Sequence, residues 1–186
     1  MTIPTGDGVF DALAAGPRDG RAVLLLHGFP EAADMWEHQL LALGAAGYRA
    51  IAPDQRGYSP RVRPVAVEDY RLENLVADVL AMADQLGWRH FDLVGHDWGA
   101  AVAWALAAAQ PDRLRTLAAV SVPHLGAFFD AMSEDRDQQR RSQYIELLRR
   151  PGEAEQALCD SGAARLRQVY AGKVPADRVE RYRRGR

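Results

Sequence analysis

The stretch Gly95-His96-Asp97-Trp98-Gly99 constrains this chain more than any other. It follows an apolar run, Phe91-Asp92-Leu93-Val94, and precedes a run of small and apolar residues at 100–109. A residue on a tight strand-to-helix turn sits in strained backbone. The positions two before and two after it must be small, because side chains there would strike the adjoining strand and helix. Gly95 and Gly99 stand at that spacing, and the middle position is Asp97. Two readings follow. Asp97 caps the helix after it, since Asp is a favoured N-cap and its charge suits a helix N-terminus. Alternatively, the turn presents its carboxylate as a nucleophile. A second loop, His27-Gly28-Phe29-Pro30, leaves the same end of a neighbouring strand and offers a backbone N–H there, which favours the nucleophile.

The rest of the pattern supplies the frame. Runs at 9–13, 22–26, 48–52, 91–94 and 114–122 read as strands, and 22–26 is continuously apolar, as for a parallel strand covered on both faces. Between them, 33–43 has helical spacing with Trp36, Leu40 and Leu43 on one side. A second helix, 72–86, carries Leu75, Val79 and Met82 inward and ends at Gly87. The helix after Gly99 stops at Pro111. This alternation predicts an α/β domain with a mainly parallel sheet and flanking helices. After Pro123 the texture changes: 126–150 and 153–170 are charged and helix-rich, without strand signals. The expected division is a core over residues 1–124 and a helical segment over 125–186.

Composition narrows the partners. The 186 residues carry a formal charge of −2, and arginines are interspersed with acids, so no basic track for nucleic acid is expected. One cysteine, Cys159, excludes an internal disulfide and fits a reducing, cytoplasmic setting. The N-terminus does not read as a secretory signal, and no apolar run suits a bilayer span. No membrane partner, metal or cofactor is expected; the expected partner is a small-molecule substrate.

Taken together, HGFPEAADMWEHQ, APDQRGYSP and VGHDWGAAVAWALA resemble the α/β-hydrolase superfamily, in its epoxide-hydrolase and haloalkane-dehalogenase branch. The resemblance runs from about Val9 to Tyr170. It implies an α/β-hydrolase fold with residues 125–186 as a partial helical cap, or lid. It also implies cofactor-independent hydrolysis through an ester on Asp97, with the N–H groups of Phe29 and Trp98 as the oxyanion hole. His27, Gly28, Pro30 and His96 would border the substrate pocket, and the peptide before Pro30 would be cis.

Within that branch, dehalogenases commonly carry Asn or Glu between His-Gly and Pro, where this chain has Phe29, as epoxide hydrolases do. Fluoroacetate dehalogenases share HGFP but usually carry Arg where this chain has Trp98. Tyr144, seven residues before Pro151-Gly152, resembles a cap tyrosine that points its phenol at the epoxide oxygen. The plainer alternative is a packing residue on an amphipathic helix. The reading is therefore an epoxide-hydrolase-like enzyme, with a haloalkane dehalogenase or a non-catalytic remnant as alternatives.

The mechanism also needs a base. His38 lies on a helix, His90 precedes its strand, His96 sits inside the elbow and the resemblance makes His27 structural, so His124, after the last strand at the correct end, is the only conceivable substitute. The family's base and supporting acid usually come later. A chain stopping inside the cap, without the last core strands, is the expectation. An open edge on the strand at 114–122 then predicts aggregation or a dimer through that edge.

Overall fold

The computed structural model describes residues 1–170 and 174–184. The chain divides into two compact units, Met1–Leu125 and Gly126–Arg186.

The first unit is built on a six-stranded sheet. Its strands are β1 (Thr2–Thr5), β2 (Gly8–Ala15), β3 (Arg21–Leu26), β4 (Tyr48–Pro53), β5 (Phe91–His96) and β6 (Leu114–Val120), in the order β1-β2-β4-β3-β5-β6. The four strands β4-β3-β5-β6 are parallel, while β1 and β2 join antiparallel. The sheet is thus mixed, and β1 is a strand that no apolar run announced.

Helices α1 (Glu37–Ala45), α2 (Leu72–Gln85) and α3 (Trp98–Ala109) cover the sheet. Alternate residues of β3 explain why its whole run is apolar. Leu24 and Leu26 pack with Val76, Val79 and Met82 of α2 and Val102 and Leu106 of α3. Val23 and Leu25 pack on the opposite face with Trp36 and Leu40. Each such side chain taken from water contributes about 1.5–3 kcal/mol, so a polar residue on either face of β3 would be costly.

Two helix expectations shift locally. The segment at 33–43 opens as a 3-10 turn, Ala33–Trp36, before α1 begins. On α2 the buried stripe is Val76, Val79, Met82 and Ala83, with Leu75 only half-buried.

The second unit is helical in the described residues: α4 (Leu125–Glu134), α5 (Arg136–Arg141), α6 (Gln143–Leu148), α7 (Glu153–Tyr170) and α8 (Ala176–Arg184). Helix α7 is interrupted at Asp160–Ala163, where Ser161, Gly162 and Ala163 take positive φ. No described helix is long and apolar enough to cross a membrane.

Candidate active site

Three loops leave the carboxyl ends of the adjacent parallel strands β4, β3 and β5, where ligands bind in open α/β sheets. Asp97 lies at the end of β5, with φ 52° and ψ −120°. A positive φ is rare for a residue with a side chain, and the surrounding structure holds it there. The Asp97 N–H donates to Val120 O at 3.2 Å, and its carbonyl accepts from the N–H groups of Ala100 at 2.9 Å and Ala101 at 3.1 Å. The elbow closes only because its flanks lack side chains. A Cβ on Gly95 would lie 2.3 Å from Gly99 O, and one on Gly99 would lie 2.3 Å from Leu26 O.

The helix-capping reading of Asp97 does not hold. Asp97 occupies the N-cap position of α3, but its side chain makes no capping hydrogen bond. Instead Oδ1 accepts the backbone N–H of Phe29 at 2.9 Å. The Phe29–Pro30 peptide is cis. Phe29 is half-exposed, Pro30 is buried, and Gly28 packs so closely that a Cβ there would lie 2.4 Å from Asp97 Cβ. Trp98 is the first residue of α3, with its side chain exposed.

His27, expected at the pocket border, opens the loop after β3. It is 0% exposed, and both ring nitrogens are engaged. Nε2 accepts from the Gln55 N–H at 3.0 Å, and Nδ1 lies 3.0 Å from Gly28 O. Burial lowers its pKa to about 4, against smaller raising effects from the Gly28 carbonyl and from Asp34 and Asp97. The His27 ring is therefore neutral and supports the loop.

His96 is half-buried, with Nδ1 3.4 Å from Glu31 Oε2. Burial holds the Glu31 carboxyl above its ordinary range; His96 pulls it back, while Asp97 and Asp34 push it further up. Tyr58 packs edge-to-face on His27 at 4.5 Å. Burial, then the Asp97 and Glu31 carboxylates, raise its phenol above the ordinary value. His124 packs edge-to-face on Trp104 at 5.3 Å. Tyr144 belongs to α6 in the second unit and is exposed.

Sequence reasoning left out Glu31, Gln55 and Tyr58, although all three stand inside the quoted motifs. Their partners His27 and His96 lie 28 to 65 residues of sequence away, so no local spacing announces them. Among the described residues, no group of three His, Cys, Asp or Glu side chains is placed to hold a metal ion.

Known proteins resemble this chain over most of its length. Epoxide hydrolase A of Mycobacterium tuberculosis is 39% identical over 169 residues, which cover 87% of this chain and 51% of that protein. Epoxide hydrolase 3 of Siraitia grosvenorii is 40% identical over 156 residues, 79% of this chain and 47% of that protein. The chain thus spans about half the length of these curated relatives. The crystal structure of Bacillus megaterium epoxide hydrolase in complex with an inhibitor superposes with a TM-score of 0.88 at 28% identity. The match covers 98% of this chain and 65% of that one. A family model described as alpha/beta hydrolase fold matches residues 21–156, from β3 through the elbow and into α7. A strained acidic elbow on a sheet of this order, read with that match, shows that the chain belongs to the alpha/beta hydrolase fold family.

Proposed function

We propose that Asp97 is the nucleophile of an epoxide-hydrolase-like site. The observation that carries this reading is its carboxylate on a strained elbow, taking the Phe29 N–H instead of capping α3. A carboxylate oxygen of Asp97 attacks a ring carbon of the epoxide. The new C–O ester bond forms as the ring C–O bond breaks, and the ring oxygen takes a proton to become a hydroxyl. Tyr144 is the candidate donor of that proton.

Hydrolysis of the ester is the second step. Water attacks the Asp97 carbonyl carbon, the tetrahedral oxyanion is held by the N–H groups of Phe29 and Trp98, and the diol leaves as Asp97 is regenerated. A base must take the proton of that water. His27 is buried and neutral, His96 faces Glu31, and His124 packs on Trp104. Of the two steps, this chain's residues therefore support alkylation. Turnover, a cap role for the helical unit and a diol product remain proposals about the whole protein.

The test is the intact mass of the chain after incubation with styrene oxide, with Asp97→Ala as control. A single adduct that disappears in the control supports the reading; an adduct that survives in Asp97→Ala removes Asp97 from the role. Halide release from a haloalkane, without any epoxide adduct, would instead select the dehalogenase alternative.

A further inference from the structure

Gln55 follows β4 and makes two hydrogen bonds to one residue of the neighbouring loop. Its backbone N–H donates to His27 Nε2 at 3.0 Å, and its side-chain Nε2 donates to His27 O at 2.5 Å. A backbone N–H only donates, so His27 Nε2 is the acceptor and the ring proton sits on Nδ1. That proton points at Gly28 O, 3.0 Å away. The Glu31 N–H donates to the same carbonyl at 3.1 Å.

The Gly28 carbonyl and the Phe29 N–H belong to one planar peptide. Holding the carbonyl from one side fixes the direction of the N–H on the other. That N–H is the donor to Asp97 Oδ1. A continuous path therefore runs from the Gln55 backbone N–H through the His27 ring and the Gly28–Phe29 peptide to the carboxylate, and the Gln55 side chain braces it by holding His27 O.

Gln55 is itself held from both sides. The Asp54 N–H donates to Asp11 O at 2.8 Å, and Asp54 Oδ1 accepts the Ala33 N–H at 2.8 Å. Arg56 makes a two-pronged pair with Asp78 of α2, at 2.7 and 2.6 Å. Three consecutive residues thus tie the loop after β4 to β2, to Ala33, to the donor loop and to α2, and the middle one reaches the donor loop.

We infer that Gln55 is a positioning residue that aims the Phe29 N–H at Asp97 and so sets the rate at which Asp97 is alkylated. This rests on the reading of Asp97 as nucleophile. Gln55 touches neither substrate nor the reacting atoms; it acts through His27 and one peptide plane.

The experiment compares the full chain with Gln55→Leu and Gln55→Glu. Leu removes the side-chain donor to His27 O and keeps the backbone N–H on His27 Nε2. Glu keeps the length but, ionised, offers only acceptors to His27 O. Three quantities are measured: the single-turnover rate of styrene oxide adduct formation at saturating epoxide, the epoxide concentration at half-saturation, and the Phe29 amide resonance without ligand. The expected result is a saturating rate lower by about tenfold in both variants, the loss of one well-aimed hydrogen bond. Half-saturation stays unchanged, and the Phe29 amide proton moves upfield as its hydrogen bond lengthens. A folded variant with the wild-type rate and an unmoved Phe29 resonance overturns the inference, even if its melting temperature falls. If the unaltered chain forms no adduct but the Phe29 resonance moves in the variants, the nucleophile reading fails while the link from Gln55 to the Phe29 N–H stands.

Discussion

The Phe29 N–H and the Asp97 carboxylate, 68 residues apart in sequence, meet at 2.9 Å. Strand register brings them together. In the parallel pair β3–β5, Leu26 lies beside Gly95, so the two loops emerge side by side one residue later. A one-residue slip would turn the side chains of a strand to the opposite faces of the sheet, and both faces of β3 are packed. The core pattern of β3 thereby sets the distance between donor and acceptor.

Gly28→Ala is expected to break this meeting. The added Cβ would lie 2.4 Å from Asp97 Cβ and 2.6 Å from Oδ1. The backbone of Asp97 has little room to retreat, because its N–H and carbonyl are both bonded. Overpacking of this kind costs roughly 1–3 kcal/mol. Urea denaturation should show that loss, and styrene oxide labelling should slow by at least about tenfold. Labelling at the wild-type rate would mean that Asp97 does not need its present seat.

Asp97→Gly and Asp97→Ala should reverse an ordinary order of stability. At a helix-interior position glycine is about 1 kcal/mol worse than alanine. At φ 52° alanine keeps the backbone strain and glycine relieves it, a difference of about 1–3 kcal/mol. Both variants lose the Phe29 hydrogen bond, so that contribution cancels in the comparison. The glycine variant should melt at the higher temperature while neither forms an adduct. An alanine variant as stable as the glycine one would mean that the elbow stores no strain.

Much of this was legible because it is local. Gly95, Asp97 and Gly99 announce the elbow by spacing, and the run at 22–26 announces a strand buried on both faces. β1 was not legible: Thr2–Thr5 has one buried residue, Ile3, and is a strand because β2 turns back on it. The antiparallel join of β2 to β4 likewise depends on long-range pairing. The resemblance to the family places His27 at the pocket border with Gly28, Pro30 and His96. The His27 ring is buried and takes the backbone N–H of Gln55, 28 residues on, and sequence adjacency carries no trace of that contact.

His27 should stay neutral well below the ordinary histidine range. Burial lowers its pKa from 6.5 to about 4. Between these values the unfolded chain binds the proton and the native chain does not. Its contribution therefore destabilises the fold as pH falls through this window, by about 1.4 kcal/mol per pH unit, and levels off below it. Glu31, Asp54 and Asp78 act with the opposite sign, since burial raises their carboxyls and the native state holds their protons more tightly. Global unfolding would mix these contributions, so the measurement is the His27 ring itself, followed by nitrogen NMR. The expected spectrum is a neutral ring protonated on Nδ1 down to about pH 5. A midpoint near 6.5 would show that the ring is solvated and Gln55 does not hold it.

The pair between Arg56 and Asp78 should be far more sensitive to losing one partner than to losing both. Their side chains are 8% and 4% exposed, and burial raises the Asp78 carboxyl while Arg56 pulls it down. Arg56→Met leaves a buried carboxylate without its partner, a change that costs about 3–5 kcal/mol. Adding Asp78→Leu removes the stranded charge and places apolar volume beside the buried Val79 and Met82 of the same helix. The double variant should therefore recover most of the stability lost in the single one, read as urea midpoints at pH 7. Its labelling by styrene oxide should still be slower than that of the unaltered chain, because the anchor beside Gln55 is gone. A single variant within about 1 kcal/mol of the unaltered chain would show a solvated pair, and the loop after β4 would then owe its position to Asp54 and Gln55.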